Sequence, residues 1–494
     1  MGPTPEQFPY SLAFDDVLLE PGYSEVLPSE VSVRTRLGPL ALNTPILSAA
    51  MDTVTESRMA IAMALLGGMG VLHKNLTAEE QAAEVRRVKK FQHAVIAAPL
   101  TVSPADTLQK LRELMRDTGI TGFPVVDAEG RPVGMCTGRD IRYAASESLT
   151  VRDVMSSPVK TLPMGATPEQ AQAFFREHKV EKAPLVDAAG RLKGLITSKD
   201  LRQAVDHPEA FRDQRGSLGV AAAIGAGAVD GLGRAEVLVA AGVDCLVVDS
   251  AHGHSKGILE TLRHLRKLYP ELALIGGNVA TAEGALAVVE AGANIVKIGM
   301  GPGSICTTRI VSGAGVPQLT AVYECARALR AKRPDVGLIA DGGIRFSGDV
   351  AKALAAGAHA VMLGGLLAGT EESPGETILY MGRSYKSYRG MGSLSAMKRG
   401  SKSRYFQGSV KEASKLVPEG VEARVPYRGV VAEFVHQLSG GLRAGMGYVG
   451  ARDLEDFYAK ARFRRISPGA LKESHVHNVT ITAEAPNYSG GSNE

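Results

Sequence analysis

The residues best suited to chemistry fall in one stretch, Gly299-Met-Gly-Pro-Gly-Ser-Ile-Cys306-Thr-Thr-Arg309. It follows the apolar run Ile295 to Ile298, broken only by Lys297, so it sits where a buried strand empties into a loop. Gly299, Gly301 and Gly303 are expected to take positive φ and bring the backbone close to a ligand. Ser304, Thr307 and Thr308 surround Cys306 with hydroxyls. A thiol in so polar a setting can ionise and act as a nucleophile. Two further glycine turns, Asp341-Gly-Gly-Ile-Arg345 and Gly364-Gly365, offer backbone N–H groups to a phosphate, and the Asp341 carboxylate suits ribose hydroxyls. Asp249-Ser-Ala-His-Gly-His254 sets two histidines two apart, but no Cys or carboxylate stands at a usual third-ligand spacing, which argues against a metal there and likewise at His475 and His477. Beyond the last apolar run, Tyr388-Arg-Gly-Met-Gly-Ser393 leads into a polar segment carrying Arg404-Tyr405, of the length expected of a lid.

These residues need a scaffold that presents them together. One turn signal recurs: helical patterns end at Gly67, Gly242, Gly292 and Gly357, and each is followed by a short apolar run. Glycine there suits the left-handed residue that closes a helix before a strand. The strand candidates number eight: Ile46 to Ala49, Gly70 to Leu72, Val220 to Ile224, Cys245 to Val248, Leu272 to Ile275, Ile295 to Ile298, Gly337 to Ala340 and Ala360 to Leu363. Helical patterns such as Ser57 to Leu66, Ile258 to Leu268 and Ser347 to Ala355 alternate with them. Eight such units predict an α/β fold, a closed (β/α)8 TIM barrel. Asp52, His73, Asp249, Asn278, Gly299, Asp341 and Gly364 then follow the strands, at the end that carries chemistry in this architecture.

The barrel is interrupted by residues 92–208, which contain an internal repeat. Phe123-Pro-Val-Val-Asp-Ala-Glu-Gly-Arg131 matches Ala183-Pro-Leu-Val-Asp-Ala-Ala-Gly-Arg191, and both copies continue to Asp140 or Asp200. The repeat resembles a tandem pair of cystathionine-β-synthase-type (CBS) modules, about 92–150 and 151–208. That resemblance implies adenine or guanine nucleotides (ATP or GTP) with Asp140 and Asp200 near the ribose. The expected domains are therefore 1–91 and 209–494 for the barrel, with a mobile flap at about 383–428, and 92–208 for the insert.

At 494 residues, 45% hydrophobic and 22% charged, the chain reads as a soluble multidomain protein. Fifty-six basic against 52 acidic residues leave near-balance, and the clusters at Arg86 to Lys90 and Lys398 to Arg404 lack the interleaved aromatics of a strand-stacking nucleic-acid surface. No nucleic-acid partner is expected. Four cysteines exclude a disulfide framework, with Cys245 and Cys325 read as packed thiols. No leader or membrane-spanning pattern is visible, and a cytoplasmic location is expected.

The combination resembles the inosine-5′-monophosphate (IMP) dehydrogenase family. Its carriers are Leu47-Ser-Ala-Ala-Met-Asp-Thr-Val54, the loop around Cys306, the Asp341 turn, Tyr388-Arg-Gly-Met-Gly-Ser393, Arg404-Tyr-Phe406 and the tail Glu473-Ser-His-Val-His477. The resemblance implies that Cys306 attacks C2 of IMP, NAD takes the hydride, and a covalent thioimidate is hydrolysed to xanthosine monophosphate. Arg404 and Tyr405 would activate water once the lid replaces the reduced cofactor, with Thr308 and Glu419 a second proton route. IMP would meet Ser48, Met51, Ser304, Asp341, Gly343, Gly364, Gly365, Tyr388, Met391, Gly392 and Glu419. NAD would meet Asp249, Ser250, Asn278 and Gly299. A potassium ion would bind carbonyls of Gly301, Gly303 and Cys306 with Glu473, Ser474 and His475 of a neighbouring subunit, which implies a tetramer or octamer. Two alternatives stand beside this: a GMP reductase-like enzyme, disfavoured by Arg404-Tyr405 and by the insert, and an inactive nucleotide-sensing regulator.

Overall fold

The structure, a computed structural model, describes residues 8–91, 96–97, 99–142, 144, 146, 149–198, 206–410, 412–483 and 485–488. Eight parallel strands close a barrel in chain order: β1 (Ile46–Ser48), β2 (Met69–Leu72), β3 (Ala221–Ile224), β4 (Cys245–Asp249), β5 (Ala273–Val279), β6 (Ile295–Ile298), β7 (Gly337–Asp341) and β8 (Ala360–Leu363). β8 pairs with β1 through Leu363↔Ser48, which shuts the ring. Each expected strand is present. β5 runs furthest beyond its expected end, because Gly276 and Gly277 belong to the strand and not to a turn. A Cβ at Gly277 would stand 2.8 Å from that of Lys297, so glycine here makes room for the neighbouring strand's side chain.

Helices α1 (Ser57–Leu65), α2 (Ala78–Lys90), α3 (Arg234–Ala240), α4 (Lys256–Leu268), α5 (Ala282–Glu290), α6 (Gln318–Lys332), α7 (Ser347–Ala355) and α8 (Val431–Val449) alternate with the strands. α4 buries Ile258, Thr261, Leu262 and Leu265, the i, i+3, i+4, i+7 stripe that lays one face on the sheet. Gly67, Gly242, Gly292 and Gly357 end their helices with φ of 82°, 90°, 111° and 108°, as their place in the pattern predicts.

Strand alternation explains the barrel interior. Cys245 and Val247, Ala273 and Ile275, Ile295, and Ile339 point inward and pack into one core. Continuing the period of two brings Asp249, Lys297 and Asp341 inward at the C-terminal end, so the topmost layer is charged. After β8 the chain leaves the barrel in a three-stranded antiparallel sheet, Thr377–Tyr380, Arg383–Arg389 and Glu422–Pro426. Arg389 pairs with Glu422, so the excursion between them is pinned at both ends.

A second compact unit spans residues 90–208 and 214–217, the first comprising the rest of the chain. It holds two hairpins, Gly122–Val126 with Pro132–Thr137 and Lys182–Val186 with Leu192–Thr197, which share a register irregularity at equivalent positions. Their cores repeat at an offset of 60: Phe123 and Ala183, Val125 and Leu185, Cys136 and Ile196. The Asp127 and Asp187 carboxylates cap the two tight turns identically, accepting from the N–H groups two and four residues on. Asp140 accepts from both the N–H and the hydroxyl of Thr137, at 2.7 and 2.6 Å. Asp200 lies outside the described residues.

Candidate active site

The loop after β6 shows why its glycines are where they are. Gly299 has φ 145°, and a Cβ there would stand 2.2 Å from the Asp341 carbonyl oxygen; Gly301 has φ 70°. Gly303 departs from expectation, with no positive φ. Its nearest neighbour to an added Cβ is Cys306 Cβ at 3.8 Å, so the site there is open and not strained.

Cys306 is part-buried, whereas Cys136, Cys245 and Cys325 are buried, and all four are free thiols. Burial pushes Cys136 and Cys325 up to about 12 and Cys245 higher still, so those three are inert packing at neutral pH. The Cys306 thiol donates to Thr308 Oγ1 at 3.1 Å and lies 3.7 Å from the Glu419 carbonyl oxygen. It opens into a cavity of about 1150 Å³. Met51, Ser304, Asp341, Gly343, Gly364, Gly365, Tyr388, Met391, Arg404, Tyr405 and Glu419 line the same cavity. So do Asp249, Asn278, Gly299, Gly301, Gly303 and His475. An added Cβ at Gly364 would stand 3.1 Å from the Tyr388 hydroxyl, and one at Gly365 would stand 3.1 Å from Ser304 Oγ. The two glycines thus leave open a cradle rimmed by two hydroxyls.

Six candidates lie off this lining. Ser48 is fully buried and accepts from Thr55 Oγ1 at 2.9 Å; Ser250 is buried and accepts from the N–H of His252. Thr308 stands directly behind the thiol, and Gly392 packs against Tyr405 and Glu419. Glu473 and Ser474 are exposed on a short helix, Pro468–Ser474, while His475 turns inward against Phe346 and accepts from or donates to the Tyr488 hydroxyl at 3.1 Å. No group of three His, Cys, Asp or Glu suited to a metal exists among the described residues.

The charged layer is the feature that motif reading missed. Lys297 is 2% exposed, and its Nζ donates to Asp249 Oδ1 at 3.0 Å, to Asp341 Oδ2 at 2.9 Å and to Asn278 Oδ1. Asn278 Nδ2 in turn donates to Asp341 Oδ2 at 2.9 Å and to the Gly299 carbonyl at 2.7 Å. One ammonium therefore sets two carboxylates and an amide. The signal was available, since Lys297 is inward by period two from Ile295. Gln318 adds a brace, donating to the carbonyls of Ile298 and Asp341.

The excursion folds over this layer. Arg404 pairs with Asp249, and its carbonyl accepts from Ala251 N–H at 3.1 Å. Burial pushes the Tyr405 phenol up, and the nearby Arg404 charge opposes this without cancelling it. Arg389 grips Asp52 through Nε at 3.1 Å and Nη2 at 2.6 Å. Burial raises Asp52, but the hydrogen bonds from Arg389 and Asn75 outweigh it and hold the carboxyl below its ordinary value.

The description "IMP dehydrogenase / GMP reductase domain" matches residues 11–477. The chain belongs to the IMP dehydrogenase/GMP reductase family. It is 53% identical to an inosine-5′-monophosphate dehydrogenase of Halalkalibacterium halodurans over 97% of this chain and 98% of the relative. It is 52% identical to one of Staphylococcus aureus over 97% and 98%. Among solved structures, a GMP reductase variant of Trypanosoma brucei in complex with guanosine 5′-monophosphate superposes with a TM-score of 0.84 at 40% identity, covering 96% of this chain and 99% of that one. A match of that extent spans the insert. Within this family, possession of the insert therefore does not separate dehydrogenase from reductase, contrary to the expectation from sequence; the relatives at 52% and 53% identity are both dehydrogenases.

Proposed function

We infer that this chain is an IMP dehydrogenase: it oxidises inosine 5′-monophosphate to xanthosine 5′-monophosphate with NAD as hydride acceptor, a step of guanine nucleotide biosynthesis. The observation that carries the reading at the site is the Cys306 thiol opening into the cavity whose rim is the Gly343, Gly364 and Gly365 turns.

In this reading the phosphate rests on the backbone at Gly343, Gly364 and Gly365, beside the hydroxyls of Ser304 and Tyr388, and Asp341 holds the ribose. Cys306 adds as thiolate to C2 of the purine. When bound, NAD accepts the hydride that leaves C2, so the adduct becomes a thioimidate. Water then adds to C2, the thiolate departs, and one proton is lost. The charge layer fits both partners in turn. Asp249 is held here by Arg404, so the carboxylate proposed for the cofactor ribose is available only when the flap has left. The same contact brings Arg404 and Tyr405 onto the lining that carries Cys306, where a guanidine with a phenol beside it can take the proton of an attacking water. Thr308, touching the thiol, and Glu419 supply the second proton route. Ser48, Met51, Met391 and Gly392 complete the substrate's surroundings in the proposal, and Ser250, Asn278 and Gly299 the cofactor's.

A potassium ion would be held by carbonyls of Gly301, Gly303 and Cys306 with Glu473, Ser474 and His475 of a neighbouring subunit, in a tetramer or octamer. Carbonyl oxygens on a glycine loop suit such a weakly demanding cation, although the Gly303 carbonyl already accepts from Cys306 N–H. The repeated unit is proposed as a CBS pair that senses ATP or GTP. No helix among the described residues is long and apolar enough to cross a membrane. We place the enzyme in the cytoplasm, a reading its free thiols support.

The test is direct. IMP with NAD should generate NADH absorbance, Cys306→Ala should abolish it, and GMP with reduced nicotinamide should give no oxidation. Turnover in Cys306→Ala would end this reading.

A further inference from the structure

The loop after β2, His73-Lys74-Asn75, does not line the catalytic cavity, yet it holds a buried charge. Lys74 is 7% exposed. Its Nζ donates to Asp230 Oδ2 at 2.5 Å and to Ser403 Oγ at 2.8 Å, and Ser403 Oγ donates to the same Asp230 oxygen at 3.2 Å. Asp230 is fixed from behind. Its other oxygen accepts from Arg234 Nε at 3.0 Å, and Arg234 Nη1 is spent on the Leu76 carbonyl and on Gln81. A Cβ at Gly225 would stand 2.1 Å from Asp230 Oδ2, so glycine there leaves room for the carboxylate.

Ser403 belongs to the single turn Ser401–Tyr405 that also carries Arg404. Next to Lys74, Asn75 Nδ2 donates to Asp52 at 2.7 Å and reaches the Ala396 carbonyl at 3.4 Å. Besides the Arg389–Asp52 pair at its base, the flap is tied to the barrel through its Ser401–Tyr405 turn at two charged points, Arg404 on Asp249 within the cavity and Ser403 on Lys74 beside it.

We propose that Lys74, braced by Asp230, is a positioning residue: through Ser403 it latches the flap in the closed arrangement and sets the competition between Arg404 and the nicotinamide-side ligand for Asp249. This rests on the function proposed above. The chemistry of the pair makes the latch reversible. When Ser403 leaves, the ammonium keeps its carboxylate, so opening orphans no buried charge. A flap carboxylate in place of the Ser403 hydroxyl would bind far harder and oppose reopening.

The full-length enzyme with Lys74→Met, Ser403→Ala or both tests this by stopped-flow NADH formation, by inhibition at excess NAD, and by intact mass of the Cys306 adduct during turnover. A hydrogen bond to a charged group is worth about tenfold in an equilibrium. The first NADH burst should keep its wild-type rate. The adduct should accumulate, excess NAD should inhibit at roughly tenfold lower concentration, and the double variant should be no worse than Lys74→Met. Ser403→Ala keeps the ion pair intact, so it decides the matter if Lys74→Met folds poorly. The proposal falls if inhibition and adduct fraction match wild type, or if the burst slows in step with turnover. No burst in the wild-type enzyme would overturn instead the function on which it rests.

Discussion

Lys297→Met isolates the charged layer at the top of the barrel. Methionine keeps the length of the side chain and removes the ammonium, leaving Asp249 and Asp341 without their shared neutraliser in a site 2% exposed at residue 297. Breaking one side of a buried, hydrogen-bonded charge set costs about 3–5 kcal/mol. Arg404 still pairs with Asp249, and Asn278 still donates to Asp341, which places the loss near the lower bound, about 3 kcal/mol at pH 7. Amide hydrogen exchange of Ile295 to Ile298 reads the opening of the barrel itself, apart from the second unit. A loss below about 1 kcal/mol would show that the ammonium is not what holds the two carboxylates.

Arg404→Ala should preserve the first hydride transfer and slow hydrolysis by roughly a hundredfold, with the Cys306 adduct building up in intact-mass spectra; normal steady-state turnover would refute its role. His359 is held by burial at about 4, below the ordinary histidine value, and accepts from the N–H of Leu338 at 3.1 Å. The neutral ring is therefore the native form, so its stabilisation is complete above the unfolded value near 6.5 and is lost as pH falls toward 4. Over that window wild type should lose about 3 kcal/mol more than His359→Asn, compared by urea unfolding at each pH. Asp140→Ala with Asp200→Ala should weaken ATP or GTP binding about tenfold by calorimetry; unchanged binding would remove the sensing role of the repeat.

The parts of the architecture that are local were legible in the amino-acid sequence. Eight apolar runs, four helix-ending glycines and a 60-residue repeat each rest on backbone preference or burial pattern within one segment. The loop that carries Cys306 was legible for the same reason: Gly299 and Gly301 take backbone shapes that other residues resist. The end of β5 was not, because Gly276 and Gly277 serve a neighbouring strand instead of a turn.

Contacts across the closed ring are decided by tertiary structure alone. Lys297 reads as a flaw in an apolar strand until β4, β5, β6 and β7 lie side by side and supply Asp249, Asn278 and Asp341 around it. Arg404 reads as a charge on a lid with no partner in view until the chain returns it to Asp249 across more than a hundred residues, and Lys74 as a loop charge until Asp230 and Ser403 meet it. A buried charge has no local signature: its stability comes from partners distant in the chain, and only the closure of the barrel brings them within hydrogen-bond range.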